Sequence, residues 1–146
     1  ELSGFGEPAE GFRVLGGATV LDSELSATQG GVNQGNTPIG IPEFQASMNI
    51  EWDPAFWPGV TLDARVQYTG EQFIDAANTT TIPDWTRFDL GARYTTEVSG
   101  RPVTFRARVE NVTDENYWAS TGGYPGANYL VMGGPRTFVV SASVDF

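Results

Sequence analysis

The sequence has 146 residues, 40% of them hydrophobic and only 18% charged, against about a quarter charged in an ordinary soluble domain. It has neither Cys nor His, which excludes disulfide frameworks, zinc sites, thiol nucleophiles and Ser-His-Asp arrangements. All eight basic residues are Arg, and the formal net charge of -10 opposes binding to nucleic-acid phosphates.

Glu1-Leu2-Ser3-Gly4 has neither the basic start nor the apolar run of a signal peptide. No stretch of ~18 uninterrupted apolar residues offers a transmembrane helix. A mean hydropathy of -0.23 reads as soluble, yet a membrane β-barrel averages its two alternating faces to a similar value.

Along the chain a period of two recurs, the mark of strands whose successive side chains point to opposite sides. Residues 1–6 read as the end of a strand, closed by Glu7-Pro8-Ala9-Glu10. Phe12, Val14, Gly16, Ala18 and Val20 share one face, with Leu15 and Leu21 on the other. Phe44, Ala46, Met48, Ile50 and Trp52 alternate with Gln45, Ser47, Asn49, Glu51 and Asp53. The cleanest case sets Val60, Leu62, Ala64, Val66 and Tyr68 against Thr61, Asp63, Arg65, Gln67 and Thr69. Phe88, Leu90, Ala92 and Tyr94 oppose Arg87, Asp89, Gly91 and Arg93; Val103, Phe105, Ala107 and Val109 oppose Thr104, Arg106, Arg108 and Glu110. The end of the chain repeats the pattern with Phe138, Val140, Ala142, Val144 and Phe146. The pattern predicts about seven strands, most of roughly ten residues, and no helix.

The connections around 7–10, 54–59 and 98–102 are tight, whereas those around 24–41, 72–84 and 114–134 are long and rich in Gly, Asn and Thr. Strict alternation of short and long links predicts an antiparallel up-and-down meander with the long loops at one end, the layout of outer-membrane barrels. The polar face collects Asp63, Arg65, Arg87, Asp89, Arg93, Arg106, Arg108 and Glu110. Two readings of this face stay open: a solvated sheet surface, or a barrel lumen lined by an Arg-carboxylate network with the apolar face toward lipid. Small residues on the apolar face, and aromatics near strand ends (Trp52, Phe56 and Trp57 at one end, Tyr68, Phe73 and Trp85 at the other), favour the barrel.

Asn111-Val112-Thr113-Asp114-Glu115-Asn116-Tyr117-Trp118, then Gly134-Pro135-Arg136-Thr137-Phe138 and the terminal Ser141-Ala142-Ser143-Val144-Asp145-Phe146, resemble the C-terminal signature of TonB-dependent siderophore receptors. Tyr68-Thr69-Gly70 and Trp85-Thr86-Arg87-Phe88-Asp89-Leu90-Gly91-Ala92-Arg93-Tyr94 are similar to the preceding strands. Glu115 and Asn116 stand where many of that family carry a basic residue. The resemblance implies a piece of a 22-stranded transmembrane barrel of the bacterial outer membrane, residues 1–146 forming its C-terminal part without the plug or the earlier strands. It implies import of ferric siderophores or similar chelates with TonB as partner, and no transport by this piece alone. It also implies that Phe138, Val140, Ala142, Val144 and Phe146 are read by the barrel-assembly machinery.

In that setting the long loops offer Trp85, Tyr117, Trp118, Tyr124 and Tyr129 to stack on an aromatic chelate and Arg136 to meet an anionic one. Trp and Tyr at membrane interfaces have an ordinary anchoring role that competes with this reading. The sequence offers no catalytic constellation, metal set or cofactor motif, so an enzyme is not expected. The alternatives are a free-standing small outer-membrane barrel acting as pore or adhesin, and a soluble β-sandwich binding module.

Overall fold

The computed structural model describes residues 1–124 and 127–145, with the side chain of Tyr124 left aside. The predicted meander is there: β1 (Leu2–Ala9), β2 (Phe12–Val20), β3 (Phe44–Trp52), β4 (Val60–Thr69), β7 (Trp85–Val98), β8 (Arg101–Glu110) and β11 (Thr137–Val144) form one antiparallel seven-stranded sheet in that order. Between them, β5 (Gln72–Phe73) with β6 (Thr81–Ile82) and β9 (Trp118–Tyr124) with β10 (Ala127–Met132) make two hairpins inside stretches that the sequence reading left as loops.

Three short turns lie at one end. Ser99 and Gly100, at φ 54° and 75°, form a two-residue hairpin turn that pairs Val98 with Arg101, the positive-φ geometry that matches strand twist. The first turn is Glu10-Gly11 rather than 7–10. β1 runs past Pro8 to Ala9, with a register shift between Gly6 and Ala9 where proline has no N–H for the ladder.

Among the described residues the sheet is a single layer, with no second sheet packed against it as a β-sandwich requires. β1 pairs only with β2 and β11 only with β8 among the described residues, so the sheet is not closed into a small barrel. Among the described residues the buried hydrophobic side chains are Val60, Ile82 and Val103, whereas Phe88, Leu90, Phe105, Phe138 and Val140 are exposed along the apolar face. The accessible surface of 9698 Å² exceeds the roughly 7,300 Å² expected of a soluble monomer of this mass. The wall has two faces and no core of its own.

The register fixes what each face shows. The apolar set of the sequence reading lies on one side, with Phe12 opposite Trp52 and Val66 opposite Phe88. Trp85 pairs with Thr69 and shares the polar face with Arg87, so it does not belong to a lipid-side girdle. Phe5 and Leu15 pair with each other on that same polar face, an apolar patch at one side of a charged wall.

Candidate functional site

The polar face is ordered in rows across the strands. One row runs Arg13, Glu51, Asp63, Gly91, Arg108; the next toward the long loops runs Asn49, Arg65, Asp89. Arg13 holds Glu51 at 3.0 Å and Asp53 at 2.6 Å, and Arg108 reaches Asp63 at 2.6 Å. That last pair spans β7 because Gly91 lies between them: a Cβ there would run into the Asp63 carboxylate. These pairs are partly exposed, the class of ion pair that contributes at most about 1 kcal/mol.

Asp89 differs, being 1% exposed. Arg87 grips it with Nε to Oδ1 and Nη2 to Oδ2, both at 2.8 Å, and the Asn111 backbone N–H donates to Oδ1 at 2.9 Å. A buried carboxylate with three donors is a well-satisfied charge, and it ties β7 to the residue that follows β8. Arg65 sits opposite Asp89 in the register, as Arg93 sits opposite Arg106. Glu110 stands 3.9 Å from Arg87.

Asn111 begins the recognisable segment and anchors it. Fully buried, it takes the left-handed conformation at φ 52°, which Asn tolerates better than other side-chain-bearing residues. Its Nδ2 donates to the carbonyls of Glu115 and Gly134, each at 2.9 Å, and its Oδ1 accepts from the Glu115 N–H at 3.0 Å. One carboxamide thus joins the start of the long loop to its end. Asp114, also left-handed at φ 55°, accepts the Arg136 N–H at 3.0 Å. The segment is therefore a clasp that sets where the β9–β10 hairpin leaves the wall.

The three long loops are tied to one another. Thr37 and Asn78 exchange two hydrogen bonds, N–H to Oδ1 at 2.8 Å and Nδ2–H to the carbonyl at 2.9 Å, and Asn36 Nδ2 donates to Ala76 O at 2.9 Å. Gly40 N–H meets Phe73 O at 3.0 Å, and its φ of +74° brings it hard against the Thr121 carbonyl, an approach that a side chain would block. Asp75 closes the β5–β6 hairpin by accepting the N–H groups of Thr79 and Thr80 at 3.1 and 2.8 Å. Those bonds, the Thr79 backbone N–H foremost, hold its carboxyl below the usual carboxylate range. The sequence reading missed these ties; the signal available was Asn and Gly at points of left-handed backbone.

The proposed ligand contacts divide into two groups. Trp85 and Tyr117 pack on each other, centroids 4.6 Å apart, and the Tyr117 ring also covers Gly133. The Trp85 indole N–H is buried without an acceptor, a cost of about 1–3 kcal/mol. Trp118 and Tyr129 are exposed on the outer hairpin, at 37% and 59%. The Tyr124 side chain lies outside the described residues, and Arg136 extends an exposed side chain from a bonded backbone. On the last strand, Phe138, Val140, Ala142 and Val144 alternate on the apolar side, opposite Val109, Ala107, Phe105 and Val103; Phe146 lies outside the described residues. No group of three or more acidic side chains that could hold a metal occurs among the described residues.

Comparison with known proteins gives a consistent neighbourhood. A family model described as TonB dependent receptor-like, beta-barrel, matches residues 1–112. The ferrichrome receptor FcuA of Yersinia enterocolitica is 39% identical over 146 residues, all of this chain and 19% of that protein. The ferrichrome outer membrane transporter/phage receptor of Escherichia coli is 30% identical over 136 residues, 91% of this chain and 18% of that protein. The crystal structure of BauA, the ferric preacinetobactin receptor from Acinetobacter baumannii, superposes at a TM-score of 0.87 with 42% identity, covering 99% of this chain and 21% of that one. The chain thus spans about a fifth of the length of the proteins it matches.

Proposed function

The chain belongs to the TonB-dependent receptor-like β-barrel family, and from that premise we propose that residues 1–146 are the C-terminal part of the barrel of an outer-membrane receptor for ferric siderophores. One observation carries the reading: a single-layer wall with an exposed apolar face and two unpaired edges superposes, at a TM-score of 0.87, on about a fifth of a ferric preacinetobactin receptor. Hydrocarbon tolerates no open sheet edge, so the remaining strands pair with β1 and β11 and close a barrel of about 22 strands with a plugged lumen. The apolar face meets lipid, the charged face lines the lumen, and the long loops lie on the outer side.

In this reading the joined loops present Trp118 and Tyr129 to the chelate, with Arg136 beside them, while Trp85 and Tyr117 hold the rim in shape. TonB engages the receptor through residues outside this chain and supplies the energy for uptake. The assembly machinery reads the alternating side chains of the last strand, strand addition at an edge being the physical basis. Alone, the wall transports nothing.

The test is iron-limited growth and uptake of radiolabelled iron by cells carrying or lacking the gene of the full receptor, with ferrichrome and ferric preacinetobactin as probes. TonB-dependent loss of uptake for either chelate in the deletion strain is the expected result. Unchanged uptake of both, with the protein absent from the outer-membrane fraction, would overturn the reading.

A further inference from the structure

Two guanidiniums on the polar wall stand apart from its ion pairs. Arg93 on β7 and Arg106 on β8 lie directly opposite each other, a like-charge arrangement that destabilises a sheet. Around Arg106 the register places Ser141 opposite on β11, Gly91, Thr95, Val139 and Ser143 on the diagonals, and Thr104 and Arg108 along its own strand. No neighbour in that ring is a carboxylate. Glu51 and Asp63, which border the same hollow of about 180 Å³, are engaged by Arg13 at 3.0 Å and Arg108 at 2.6 Å.

Arg93 is held in position. Its Nη2 donates to Thr61 Oγ1 at 3.1 Å, that hydroxyl donates to Asp53 Oδ1 at 2.6 Å, and Asp53 is gripped by Arg13. Its other donors remain for a partner, and the Arg106 guanidinium makes no ion pair or hydrogen bond among the described residues. In a chain of net charge -10, these two guanidiniums are adjacent while the carboxylates nearest Arg93, Asp53 and Asp63, are already held by Arg13 and Arg108.

We propose that Arg93 and Arg106 form an oxyanion-binding station on this wall, taking a carboxylate or phosphate between two cationic side chains. The oxyanion comes from one of two sources: a free anion in the lumen, or an acidic side chain of the receptor outside residues 1–146. The station needs only that this face be enclosed. The uptake result that overturns the functional reading would leave this one standing, and the reverse holds equally.

The test uses the purified full-length receptor in detergent and chloride buffer, with inorganic phosphate as probe and the melting temperature as readout. Without an oxyanion, Arg106→Gln relieves repulsion and leaves the melting temperature unchanged or raised; with one, it lowers it. Phosphate at low millimolar concentration that raises the wild-type melting temperature but not that of Arg106→Gln supports a free anion. No phosphate effect, with Arg106→Gln lowering the melting temperature and Arg106→Lys restoring most of it, supports a carboxylate of the receptor itself. The proposal is overturned by a melting temperature that Arg106→Gln leaves unchanged or raises with no phosphate effect, by equal phosphate stabilisation of both proteins, or by a loss that Lys does not restore.

Discussion

Replacing Asn111 with Ala should open the long loop between β8 and β11 without melting the wall. The carboxamide makes three hydrogen bonds at 2.9–3.0 Å, to Glu115 O, Gly134 O and Glu115 N–H, together about 3 kcal/mol at ~1 kcal/mol each. Ala at φ 52° adds about 1 kcal/mol of left-handed strain. The Asn111 N–H to Asp89 bond and the β8 ladders survive the change, so the loss stays local. Opening that is easier by about 4 kcal/mol corresponds to roughly 10³-fold faster amide exchange, at tenfold per 1.4 kcal/mol. Hydrogen exchange on the full receptor reads it at the Glu115 and Arg136 amides. Asn111→Gly removes the same bonds but not the backbone tolerance, so it should exchange about fivefold more slowly than Asn111→Ala. Exchange within threefold of wild type in the Ala variant would refute the clasp, and Gly exchanging as fast as Ala would refute the backbone share.

Gly40→Ala drives a Cβ into the Thr121 carbonyl at φ +74°, whereas Gly30→Ala, at φ +68°, meets nothing within 4 Å. Limited proteolysis across 24–43 should therefore run about tenfold faster in the first variant than in the second, on a cost of roughly 1–2 kcal/mol beyond the shared backbone strain. Asp75, held below the usual carboxylate range, stabilises its hairpin above the ordinary Asp value near pH 4 and loses that contribution as pH falls through its lower folded value. Exchange protection of the Thr79 and Thr80 amides should thus drop as pH falls below the ordinary Asp range, while Asp75→Asn shows no such step. Asp89→Ala leaves Arg87 without its bidentate partner at 2.8 Å and should cost about 3 kcal/mol. The measurement is the temperature at which the full receptor loses its folded mobility on a gel.

The seven wall strands were legible because most of them set an apolar face against a polar one, as where polarity changes side with every residue from Val60 to Thr69. The outer hairpins were not. Tyr129-Leu130-Val131-Met132 is apolar on both faces, and its partner Ser120-Thr121-Gly122-Gly123 carries small side chains, so neither strand alternates. Gly122-Gly123 reads as a flexible link, yet the Tyr129 ring lies over Gly122, which is a packing role. The charged side chains were found, but which of them pair was not. Asp63 meets Arg108 across an intervening strand only because residue 91 is glycine, and register carries that information. The Asn111 segment was recognisable as a pattern before its chemistry was visible, since a clasp between residues 111 and 134 depends on a contact that spacing does not specify.

Neighbouring residues on β3 offer the sharpest separation of the two faces. Met48 lies on the apolar side and Ser47 on the polar side, the latter opposite Gly17 and Gln67, with Arg65 on the diagonal. Both are exposed on the wall as it stands, Met48 at 41%. A soluble sheet would accept Arg at either position with little change. In a bilayer the two differ in kind: Met48→Arg, near the middle of its strand, should cost about 2–4 kcal/mol, whereas Ser47→Arg faces water and costs only a few tenths of a kcal/mol from the diagonal Arg65. The assay is the folded fraction of each full-length variant in lipid vesicles across a urea series. A difference of 2 kcal/mol or more in the expected direction supports a lipid-facing surface. Equal stability of the two variants would mean that both faces meet the same solvent, and the membrane reading of this wall would fail with it.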